Sequence, residues 1–78
     1  MRTKKKNKEA ERFAMRVTKN LHRVRLKQEI SQLELASKAG VDRKTINRIE
    51  NGWFSPSMDT FFRICGALGV KPVDMVKK

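Results

Sequence analysis

The segment running from Ser31 to Phe54, Ser-Gln-Leu-Glu-Leu-Ala-Ser-Lys-Ala-Gly-Val-Asp-Arg-Lys-Thr-Ile-Asn-Arg-Ile-Glu-Asn-Gly-Trp-Phe, constrains the fold more than any other part of the chain. Ser31 and Glu34 form an S-x-x-E capping box, in which the hydroxyl and the carboxylate each satisfy a backbone N–H left free at a helix start. A helix therefore begins near Gln32. Leu33, Ala36 and Ala39 give it a narrow apolar stripe, and Gly40 stands where a left-handed C-terminal residue is wanted. Val41 fills the crevice between two helices, and Asp42 is a good N-cap for a second one running from Arg43 to Glu50. In that second helix only Ile46 and Ile49 face inward, while Arg43, Lys44, Asn47 and Arg48 face out.

An outer face built of hydrogen-bond donors selects an anionic partner. Such side chains donate to guanine O6 and N7, pair with adenine, or grip phosphate. Two short helices so arranged, in a chain of formal net charge +11, are what is needed to lay the second helix in the major groove of DNA. At this point the chain resembles the phage repressor/Cro (XRE) type of helix-turn-helix. The resemblance spans residues 17–76 and rests on Leu21, Val24 and Arg25, on Ser31-Gln32 through Ile49, on Glu50-Asn51-Gly52, on Pro56-Ser57, and on Ala67-Leu68-Gly69-Val70.

The resemblance implies that Gln32 contacts phosphate and braces the reading helix. It also implies that Arg43, Lys44 and Arg48, with Thr45 or Asn47 in support, read base edges. Arg23, Lys38 and Asn51 are the further expected phosphate contacts. Arg25 and Glu50 match a pair that forms a buried ion pair between the first and third helices. Two positions depart from the pattern. Gln28-Glu29-Ile30 stands where the family commonly has glycine, and a non-glycine residue in left-handed conformation costs about 1 kcal/mol. Lys71 replaces the usual Ser or Thr cap, although Pro72 still favours a short helix start.

At 78 residues the chain is one domain, near the lower limit for folding on a single apolar core. One cysteine and one histidine exclude an internal disulfide and a metal cage, so no metal or other cofactor is expected and the simplest compartment is a reducing cytoplasm. No apolar run is long enough to span a bilayer, and the basic N-terminus lacks the apolar region of a secretory signal. Arg2, Lys4, Lys5, Lys6 and Lys8 make residues 1–8 a flexible basic arm; residues 9–78 form the domain, with the helix-turn-helix at 32–50.

From about Lys8 to Lys27, Ala10, Phe13, Ala14, Val17, Leu21 and Val24 recur on one helical face, with Arg12, Arg16, Lys19, Arg23 and Lys27 beside them. No Gly or Pro interrupts, so the pattern predicts one helix of about 20 residues and about 30 Å. His22 reads as an edge residue without a partner. Trp53 and Phe54 read first as a roof over the core, and otherwise as residues that flank phosphates or sit in a subunit interface. Ser57 caps a fourth helix carrying Met58, Phe61, Phe62, Ile64, Cys65 and Leu68, closed by Gly69, with Cys65 as a buried hydrophobe.

These readings predict an all-α, five-helix, repressor-like DNA-binding domain with a helix-turn-helix and an extended basic N-terminal helix or arm. The expected function is sequence-specific binding of double-stranded DNA in transcriptional regulation, without catalysis. A palindromic operator and a weak homodimer follow, with Leu68, Val70, Val73, Met75 and Val76 as the contact surface. Two other readings of the same features are a DNA-binding antitoxin and a non-specific architectural DNA-binding protein.

Overall fold

The computed structural model describes residues 8–53 and 55–77. Five helices follow in order: α1 Lys8–Lys27, α2 Gln32–Ala39, α3 Arg43–Glu50, α4 Met58–Leu68 and α5 Pro72–Met75. The expected arm lies outside the described residues except for Lys8, which opens α1. The uninterrupted 20 residues of α1 confirm a single helix.

Local chemistry explains most of the boundaries. Both halves of the capping box form: the Glu34 N–H donates to Ser31 Oγ at 3.0 Å, and the Ser31 N–H donates to Glu34 Oε1 at 2.8 Å. Ser57 Oγ accepts the Thr60 N–H at 3.1 Å at the start of α4. Asp42 adopts the extended N-cap conformation, but its side chain makes no cap hydrogen bond. Gly40 and Gly69 end α2 and α4 with φ near +72° and +71°. At the end of α1 the glycine-free turn is built by forcing Glu29 itself to φ 59°.

Helix α2 lies against α3 and α4, while α1 crosses α3, α4 and α5. The core comprises Val17 and Leu21 from α1, Leu35, Ala36 and Ala39 from α2, Ile46 and Ile49 from α3, Ile64, Cys65 and Leu68 from α4, and Met75 from α5. The stripe expected on α2 needs correction: Leu33 is 63% exposed, and Leu35 takes the core position. Positions 35, 36 and 39 form one face at i, i+1 and i+4, and Leu33 stands more than a quarter-turn away from its centre. Helix α4 is also less fully covered than its composition suggests, because Met58 and Phe62 remain exposed. Trp53 does not roof the core; it is 71% exposed, and Phe54 lies outside the described residues.

Among the described residues no helix is long and apolar enough to cross a membrane, and no three His, Cys, Asp or Glu side chains group as metal ligands.

Candidate nucleic-acid interface

Helix α3 turns its two isoleucines fully into the core, and that fixes which of its residues look out. Ile46 and Ile49 are both 1% exposed. Arg43, Lys44 and Arg48 are exposed, and Thr45 and Asn47 are half-buried at the sides. The side chains of Lys44 and Arg48, one turn apart, make no hydrogen bond or ion pair among the described residues, so their donors are available to a ligand.

The other edge of α3 is held from behind. Glu50, with a side chain only 5% exposed, accepts from Arg25 Nε at Oε2 (2.7 Å) and from Arg25 Nη2 at Oε1 (3.0 Å). This two-pronged pair joins α1 to the last residue of α3. Arg25 Nη1 also donates to the Ile30 carbonyl at 2.8 Å, which ties the α1–α2 turn to the same guanidinium. Burial works against the charge on Glu50. The hydrogen bonds from Arg25, Gln32 and His22, with the Arg25 charge, outweigh it and hold the carboxyl below the usual carboxylate range.

Gln32 links this buried pair to the outer face. Its Nε2 donates to Glu50 Oε1 at 3.0 Å, while its Oε1 accepts from Arg43 Nη1 at 3.4 Å and from Asn47 Nδ2 at 3.3 Å. An ionised carboxylate only accepts, so Glu50 dictates which end of the Gln32 amide faces it, and the carbonyl is left for the two donors on α3. Asn47 Oδ1 in turn accepts from Asn51 Nδ2 at 3.2 Å. The structure therefore brings Gln32, Arg43, Asn47 and Asn51 into one network. Lys38 is exposed in the last turn of α2, and Arg23 is exposed on α1 with its Nη2 on Asn20 Oδ1 at 2.7 Å; neither joins that network.

His22 was expected to stand alone and does not. Its Nδ1 lies 2.9 Å from Glu50 Oε1. The available signal was the i, i+3 spacing of His22 and Arg25, which puts both on one side of α1.

These elements, their order and the paired helices α2 and α3 agree with a family model described as Helix-turn-helix, which matches residues 21–75. The chain belongs to the helix-turn-helix family of the phage repressor/Cro (XRE) type. It is 32% identical over 57 residues to the immunity repressor protein of Bacillus phage phi105, which covers 73% of this chain and 40% of the repressor. It is 35% identical over 60 residues to the antitoxin PezA of Streptococcus pneumoniae, which covers 77% of this chain and 38% of the antitoxin. The chain thus spans about two-fifths of the length of both relatives. Among solved structures, the restriction-modification controller protein C.AhdI of Aeromonas hydrophila superposes with a TM-score of 0.76 at 24% identity, over 80% of this chain and 94% of that one. The helix-turn-helix protein described here therefore has the fold of DNA-binding transcriptional regulators, not of enzymes.

The C-terminal residues expected at a subunit contact divide into two groups. Leu68 and Met75 are buried in the protomer's own core, because the last turn of α4 and the short α5 close its base. Val70 and Val76 are half-buried, and Val73 is exposed. Val73 lines an open apolar groove of about 490 Å³ between α1, α4 and α5, together with Phe13, Val17, Met58, Phe61 and Phe62.

Proposed function

We propose that this helix-turn-helix protein is a sequence-specific repressor that reads a palindromic operator with α3. The observation that carries the reading is the division of α3 into a buried Ile46–Ile49 edge and an exposed donor face of Arg43, Lys44 and Arg48. Gln32, Lys38, Arg23 and Asn51 would hold phosphates and set register, while Arg43, Lys44 and Arg48, with Thr45 and Asn47 at the sides, would meet base edges. A formal net charge of +11 supports a polyanionic partner. Two heads on a palindrome roughly double the specific free energy, which favours a weak homodimer on DNA. A cytoplasmic location goes with that role.

Selection of binding sites from random DNA with the purified protein tests the proposal. A palindrome with half-site centres about 10 base pairs apart is the supporting result. Recovery of unselected DNA would favour an architectural role, because a specific binder prefers its site by about a thousandfold or more.

The 35% identity to an antitoxin favours a second reading, in which the same DNA-binding domain serves a toxin–antitoxin pair. Stoichiometric co-purification with a toxin encoded in the same operon would establish it.

A further inference from the structure

Glu50 receives four hydrogen bonds. Two come from Arg25 and form the ion pair, and one comes from Gln32 and forms the brace. The fourth, from His22, is required by neither. His22 Nδ1 and Gln32 Nε2 lie 2.9 and 3.0 Å from the same oxygen, Glu50 Oε1, so a change at one is felt at the other. The imidazole is 44% exposed while the carboxylate is 5% exposed, which makes His22 the point where solvent reaches this otherwise covered junction.

A carboxylate offers no proton, so His22 Nδ1 must carry one, either in the neutral Nδ1–H form or in the imidazolium. Glu50 is also the last residue of α3, where the helix carries partial negative charge and a carboxylate is poorly placed. A further hydrogen-bond donor at that end is therefore favourable. The ring faces Glu50 on α3, and the neutral Gln32 amide of α2 donates to the same Glu50 oxygen. On α1 its charged neighbours are Arg25 and Lys19, one turn away on either side, and the adjacent Arg23.

We propose that His22 is a positioning residue for DNA reading: its Nδ1–H holds Glu50 Oε1 in place to orient Gln32, whose carbonyl holds Arg43 and Asn47. A hydrogen bond to an ionised carboxylate is roughly twice as strong as one between neutral groups. Glu50 is kept ionised because its carboxyl is held low. His22 is the one histidine in the chain.

The inference rests on the proposal that α3 reads DNA, and its test has one arm that needs no DNA. In the free protein, the side-chain amide NMR signals of Gln32 and Asn47 should shift in His22→Ala and stay near their wild-type positions in His22→Gln, which supplies a neutral donor. On the selected operator, His22→Ala should bind about three- to tenfold more weakly than wild type, and His22→Gln should recover most of that loss. His22→Ala should also relax the choice of base at the position read by Arg43 or Asn47, while still melting cooperatively. Amide signals unmoved in His22→Ala, a full loss of affinity in His22→Gln, or unchanged base preference in His22→Ala would each overturn it. If wild type selects no site, the DNA reading itself fails, and the amide signals alone decide whether His22 positions Gln32.

Discussion

Arg25 and Glu50 show why single residues matter so much in a chain this small. Both side chains are almost fully covered, so removing one strands a buried charge at a cost of about 3 to 5 kcal/mol, a large share of the stability of a domain this size. Arg25→Met and Glu50→Leu should each lower the melting temperature strongly, while the double variant should recover most of the loss; singles that melt with wild type would show the pair to be dispensable. The pH dependence has a definite sign. The folded state holds the Glu50 carboxyl below its ordinary value, so its contribution is present at neutral pH and is lost as pH falls through the folded-state value. Melts from pH 7 to pH 3 should therefore decline less steeply for Glu50→Gln than for wild type, from a lower starting point. The exposed pairs Arg63–Asp59 and Lys77–Asp74 lie at the other extreme, where water screens the attraction and little stability is gained.

At the scale of elements, four successive helices end in one way. Each closes with a left-handed residue and a pair of backbone bonds, in which that residue's N–H and the next one's N–H return to the last turn: Glu29 to Leu26 and Ile30 to Arg25, Gly40 to Ser37 and Val41 to Ala36, Gly52 to Ile49 and Trp53 to Arg48, Gly69 to Gly66 and Val70 to Cys65. Three of the four left-handed residues are glycine, and Glu29 is the exception. Glu29→Gly should therefore stabilise the protein by about 0.5 to 1 kcal/mol, the relief of left-handed strain offset in part by the greater freedom of glycine in the unfolded chain. Gly69→Ala is the matching control. A Cβ there meets nothing within 4 Å, so no clash adds to its expected loss of about 0.5 to 1 kcal/mol, the same left-handed strain less the same unfolded-chain freedom with the sign reversed. Equal melting temperatures for wild type and Glu29→Gly would show that the turn carries no such strain. The same comparison marks what could be read without coordinates. Ser31–Glu34, Gly40, Ser57 and Gly69 announce helix ends by local chemistry, and Ile46 and Ile49 announce the buried edge of α3 by spacing. Leu33 misled because a helix as short as α2 has room for several plausible stripes, and only α3 and α4 decide which is covered. His22 was missed because its partner is 28 residues away and is brought to it by the packing of α1 on α3.

For the whole molecule, shape and charge bear on assembly. The described chain measures 42 × 25 × 19 Å, and the first turns of α1 run past the core that α2, α3 and α4 enclose. There Phe13 stands exposed beside Met58, Phe62 and Val73 along the groove between α1, α4 and α5. The groove presents far less apolar surface than the roughly 800 Å² per partner of a stable dimer. If two copies meet at this groove, they should therefore associate weakly in solution and firmly only when an operator holds both. Binding should also depend steeply on salt, with six to ten phosphate contacts per dimer costing about a thousandfold in affinity between 50 and 200 mM. The two effects separate experimentally. Val73→Asp and Phe13→Asp each place a charge in the groove without touching α3, so they should weaken binding to a two-half-site operator far more than to a single half-site, and leave the salt slope per half-site unchanged. Equal losses on both DNAs, or a free protein that sediments as a stable dimer, would place the subunit contact elsewhere than this groove.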